Sequence, residues 1–135
     1  MSRYLWIGCG GFLGAVARYW LGTYISSRVP AAFPLGTFVV NVSGSLLLGC
    51  VASAGIDAGL IPPRLCTALS VGFLGGYTTF SSWHLETMRL MEAGRFWLAT
   101  TNALGGLAAG MCGLWIGLSL GRLLVSVGET VIGWD

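Results

Sequence analysis

The chain has 135 residues, 55% of them apolar and 9% charged, with mean hydropathy +0.79 and formal net charge +2. A soluble domain carries about 25% charged residues, so this chain has too few to cover a water-facing surface. Its length allows about four membrane spans of roughly 20 residues with short loops. Every cation is an arginine and no basic patch forms, which excludes a nucleic-acid partner.

The first apolar run, about 4–25, follows a single Arg3 and has no small-residue cleavage site after it. It reads as a retained span rather than a removable signal peptide. Ser26-Ser27-Arg28 and Pro30 mark its end. Arg18 is the only full charge deep in a predicted span. A guanidinium there marks a functional or paired position, or else snorkels to the nearer interface. With no carboxylate in spans 1, 2 or 4 to partner it, its sign favours an anion over a cation.

Span 2 runs about 38–54 and closes in the 55–59 turn with Asp57. Thr37, Asn41 and Ser45 fall four apart, which puts an amide and two hydroxyls along one helix face. The asparagine NH₂ offers two donors without a formal charge, suited to a small anion that must bind and also leave. Hydrogen bonding between helices is the other use of such a row.

Span 3 begins after Pro62-Pro63-Arg64 and runs to about Met91. Its middle, Gly75-Gly76-Tyr77-Thr78-Thr79-Phe80-Ser81-Ser82-Trp83, predicts a break at mid-membrane. Lipid cannot satisfy the backbone groups that a break frees, so it must be buried in protein, line a wet cavity or hold an ion. Phe80 and Trp83 directly follow the break, three apart, and aromatic ring edges carry partial positive charge. Phe73 and Tyr77 read as packing residues. His84 and Glu86 lie on the outer half of the span, and a lone His84 reads as a vestibule or packing residue rather than a proton relay.

Span 4 runs about 96–120 and stops at Gly121-Arg122. This gives a four-helix transmembrane domain over 1–122 and a short C-terminal tail, 123–135, that is interfacial or disordered. Small residues fall four apart at Gly10 and Gly14, Ser45 and Gly49, Gly106 and Gly110, and Gly113, Gly117 and Gly121. That spacing lets helix backbones approach closely in lipid. The four cysteines have no metal or disulfide spacing and read as packing residues.

With four spans, Arg3, Arg64 and Arg122 fall on one side of the membrane and Arg28, Arg89 and Arg95 on the other. Three against three removes the bias that orients a membrane protein. Two opposed copies can then assemble as an antiparallel dual-topology dimer; in the other reading, one strong loop or a partner decides the topology. There is one histidine, no acidic pair within the spans, no phosphate-cradling loop and no metal-ligand cluster, so an enzyme is not expected.

The order of Arg18-Tyr19, Gly36-Thr37, Asn41-x-x-Gly44, the 75–83 stretch and a glycine-rich span 4 closely resembles the CrcB/Fluc family of bacterial fluoride channels over about residues 4–122. The resemblance implies an all-α integral membrane protein of the cell membrane, multi-pass, forming an antiparallel homodimer. It further implies two fluoride pores and one central sodium ion where the two broken third helices cross. Carried over by position, Gly75 and Thr78 offer backbone carbonyls to Na+ and Asn41 is the pore amide. Phe80 and Trp83 form the aromatic box, with Ser81 and Ser82 its polar lining. Arg18 is the charged vestibule residue and Glu86 the acidic residue beyond the box. Trp83 stands where the family usually has Phe, adding an indole N–H donor. The polar track of span 4 becomes Asn102, Gly106 and Gly110, which keeps one donor and loses two hydroxyls. The implied activity is passive, selective export of cytoplasmic fluoride. A small proton-coupled multidrug-type transporter is the alternative, but its usual span 1 carboxylate is missing and Glu86 lies on another span. A non-transporting assembly protein would explain the glycine rows and leave the break without a reason.

Overall fold

The computed structural model describes residues 2–29 and 31–132, and these form four helical rods; none of the described residues forms a strand. Rod one is α1 (Ser2–Arg28). Rod two is α2 (Leu35–Val51), which widens into a π-helical end over Ala52–Asp57. Rod three is α3 (Pro63–Thr67), a π-helical stretch Ala68–Leu74 and the short α4 (Gly75–Tyr77), then a break, then α5 (Phe80–Glu92). Rod four is α6 (Phe96–Thr100), a π-helical stretch Thr101–Gly105 and α7 (Gly106–Ile132).

The helix ends follow local chemistry. Pro63 sits in the first turn of α3, where a missing N–H costs nothing. After α5, Gly94 adopts φ +70, Gly94 N–H donates to Met91 O and Arg95 N–H to Leu90 O at 2.8 Å, a Schellman closure that only an unhindered residue accepts without strain. Rods one, two and four end differently from the sequence reading. Rod two begins at Leu35 and stays helical through Asp57, into the expected 55–59 turn, by widening to π-helical geometry. α1 runs on through Ser26 and Ser27 to Arg28, and Pro30 lies outside the described residues. Rod four does not stop at Gly121-Arg122: α7 continues to Ile132 because Gly121 packs against Cys50 and Ser53 while the apolar residues after it propagate the helix. Of the expected tail, 133–135 lie outside the described residues.

The small-residue rows act as spacers. At Gly117 a Cβ would run into Leu46 O, and at Gly49 into Leu114 O, so α2 and α7 meet backbone to backbone. Gly10 and Gly14 do the same for α1 against Ala68 O and Phe73 O of rod three. The fully buried apolar cluster is small, Val40, Leu74 and Tyr77, with Ala17, Leu21, Val51 and Phe73 around it. Large apolar side chains point outward instead, among them Leu5, Phe12 and Leu13 of α1 and Leu107, Met111 and Trp115 of α7. A water-soluble monomer rarely exposes so continuous an apolar surface. Leu35–Asp57, with mean hydropathy 1.8, and Phe96–Gly128, with 1.6, are each long and apolar enough to cross a membrane. The protein is an all-helical membrane protein.

Candidate functional site

At the break the chain leaves helical geometry for two residues: Thr78 (φ −78, ψ 155) and Thr79 (φ −144, ψ 114) are extended. Asn41 of α2 takes over the freed groups. Its Oδ1 accepts the Thr79 N–H at 2.8 Å and its Nδ2 donates to Thr79 O at 3.0 Å. One side-chain amide thus satisfies both main-chain groups of a residue that has lost its helical partners, as backbone away from water requires. Thr79 also caps α5, its Oγ1 accepting Ser82 N–H at 3.3 Å while its hydroxyl donates to Ser82 Oγ at 2.9 Å.

These bonds have a consequence for two carbonyls. In an unbroken helix the N–H groups of Thr79 and Ser82 would bond Gly75 O and Thr78 O. Both N–H groups go to side chains instead, so Gly75 O and Thr78 O are among the carbonyls of 75–78 that the restart of the helix at Phe80 leaves without these partners.

Two cavities flank the break. One, of about 500 Å³, is lined in part by Arg18, Thr37, Thr79, Ser82 and Glu86. The other, of about 400 Å³, is lined in part by Asn41, Gly75, Thr78, Thr79, Phe80, Trp83 and Gly106. The expected site residues therefore divide into a charged group and an amide-aromatic group, with Thr79 facing both. In the first group the Thr37 hydroxyl donates to Glu86 Oε1 at 2.6 Å, and Glu86 Oε2 is buried with no hydrogen-bond partner among the described residues. Arg18 is half-buried on the same cavity. In the second group Phe80 is 73% exposed, with His84 set edge-on to it at 4.1 Å between ring centroids and Trp83 at 5.6 Å.

Two expected residues stand apart. Ser81 is exposed and is not among the residues lining either cavity. Asn102 is fully buried; its Nδ2 donates to Thr87 Oγ1 at 2.8 Å and to Trp83 O at 3.4 Å, tying rod four to α5. Its donor is spent on the protein, because the π-helical stretch turns this side chain inward. Within the subunit a Cβ on Gly75 meets nothing closer than 4.0 Å, whereas one on Gly76 would lie 2.5 Å from Gly11 O. Thr79, Thr87 and the Ser43–Tyr77 hydroxyl pair at 2.9 Å are partners that the sequence reading passed over. Thr79 alone had a signal, a threonine placed to cap the helix that restarts at Phe80.

A broken helix stapled by a half-buried amide, among apolar rods, is the architecture of a membrane transport protein. The family profile described as CrcB-like protein, Camphor Resistance (CrcB), matches residues 5–118, and the chain belongs to this family. A relative from Symbiobacterium thermophilum named fluoride-specific ion channel FluC 2 is 44% identical over 114 residues, covering 84% of this chain and 93% of the relative. A fluoride-specific ion channel FluC from Solibacter usitatus is 47% identical over 120 residues, covering 89% and 98%. A third, from Geobacter sulfurreducens, is 40% identical over 124 residues, covering 92% and 100%.

Proposed function

We propose that the chain is the subunit of a passive, fluoride-specific channel of the cell membrane, and not an enzyme. Family membership at this identity over nearly the whole length of its relatives carries the reading. The stapled break supports it from the chemistry side. In this reading the chain crosses the membrane four times and pairs with an oppositely oriented copy, as the balanced arginines favour. Fluoride passes from the Arg18 vestibule by Thr37, Ser82 and Glu86 towards Asn41 and the Phe80 and Trp83 rings. These offer donors and ring edges without a deep trapping charge. The proton-coupled transporter has no support among the relatives.

A sodium ion on the dimer axis belongs to the same proposal. Uncharged carbonyls suit a hard monovalent cation, and Gly75 O and Thr78 O lie in the 75–78 stretch whose helical N–H partners are lost at the break. The ion would supply positive charge that joins the two broken helices. Liposomes holding only this protein and loaded with fluoride should empty when valinomycin clamps the voltage, without a proton gradient, while chloride-loaded ones should not. Equal chloride and fluoride fluxes would overturn the reading.

A further inference from the structure

We propose that Gly106 and Asn102 are positioning residues for Trp83, and that this chain can use a tryptophan in its aromatic pair only because position 106 has no side chain. The proposal rests on the reading that Trp83 faces the ion path. Trp83 Nε1–H donates to Asn102 O at 2.8 Å. The strand of backbone carrying the ring is tied to the same place: Thr87 Oγ1 donates to Trp83 O at 2.8 Å and in turn accepts from Asn102 Nδ2 at 2.8 Å. The ring and its helix turn are therefore both referenced to the π-helical stretch Thr101–Gly105, whose wide turn brings Asn102 inward.

Gly106 closes the arrangement. A Cβ at this position would lie 2.9 Å from Trp83 Nε1, 3.4 Å from Cε2 and 3.6 Å from Cζ2. An indole could retreat from such an atom only by giving up its bond to Asn102 O. The seated indole at 83 thus requires bare backbone at 106. A chemical consequence follows. The indole N–H is consumed by the protein, so Trp83 serves an anion as an aromatic ring and not as a hydrogen-bond donor.

The test is a double-substitution cycle read by fluoride efflux from liposomes, with dimer content followed by size exclusion. Gly106→Ala should lower flux about tenfold, the scale on which overpacking acts, and Trp83→Phe by about threefold. Phenylalanine has no N–H tether and can move aside, so the double variant should return to the Trp83→Phe level. Gly105→Ala, whose Cβ meets only Thr101 Cγ2 at 3.7 Å, is the neutral control. Flux in Gly106→Ala equal to the parent, or a double variant showing the product of the two single losses, overturns the proposal. Should Gly106→Ala fail to assemble, recovery of the dimer by Trp83→Phe supports it and continued failure overturns it. A parent protein that carries no fluoride would sink the channel reading instead. The pair would then be judged by thermal melting of the same four proteins, where additive losses count against it.

Discussion

Along its two sides α2 meets neighbours by opposite means. Towards α7 it presents Gly49 to Leu114 O, and Gly117 of α7 lies against Leu46 O, so contact depends on side chains being absent. Towards the broken rod it presents Thr37 and Asn41. Thr37 bonds Glu86 and Asn41 bonds Thr79 twice. The first seam is held by dispersion and close approach, which has no preferred direction. The second is held by directed hydrogen bonds and leaves space beside them. A seam without polar groups joins two rods; a seam of directed bonds with adjoining cavities can hold a broken backbone and still admit an ion.

Enlarging the first seam should cost most. Gly117→Leu places a branched chain on the Leu46 carbonyl and should destabilise the subunit by about 3 kcal/mol or more, seen as loss of the monodisperse peak on size exclusion. Isosteric change should do the reverse at the second seam. Asn41→Asp keeps the volume and the acceptor for Thr79 N–H but sets a carboxylate oxygen against Thr79 O and against any anion. Flux should fall by more than about a hundredfold while the dimer persists, and parental flux would reduce Asn41 to a staple.

The neighbouring glycines divide the effects more finely. Gly76→Ala meets Gly11 O within the subunit and should lower its melting temperature, whereas Gly75→Ala has room in the subunit. Any loss in Gly75→Ala should appear instead in dimer assembly or sodium dependence, and a Gly75 variant as poorly folded as the Gly76 one would refute that division. Phe80→Ile should then lower flux about tenfold more than Phe73→Ile. Both keep apolar bulk, but Phe73 stacks on Tyr77 at 5.8 Å and packs against the core, whereas Phe80 stands exposed beside the cavity. Equal losses would assign both rings to packing. The smallest effect is expected from Thr37→Val, about 1 kcal/mol of stability for one hydroxyl bond, measured by melting in detergent.

Much of this was open to reading along the chain. The four rods, the break after Gly75-Gly76 and the spacer glycines follow from hydropathy and small-residue spacing, because those properties are summed or repeated locally. Asn41 stood out as a polar residue in an apolar helix, and Thr37 and Ser45 by their spacing from it. The continuation of α7 past Arg122 was missed because a glycine and a charge read as a stop, while Gly121 is in fact a packing position. Asn102 was expected to keep a donor for the ion. Its burial depends on a local π-helical turn that shifts the face it presents, and no periodicity of 3.6 residues foretells such a turn.

The sequence by itself determined that the chain is a helical membrane protein, that its third helix is interrupted and that its polar groups are few and uncharged at the interruption. Composition and local backbone preference suffice for these, since each residue contributes regardless of its distant neighbours. Only the tertiary structure decided which donor meets which acceptor. Asn41 and Thr79 are 38 residues apart, and Trp83 and Asn102 are 19 apart. Those bonds exist because glycine seams set the distance between rods to within a hydrogen bond's length, and that distance is a property of the packed molecule and not of any one segment.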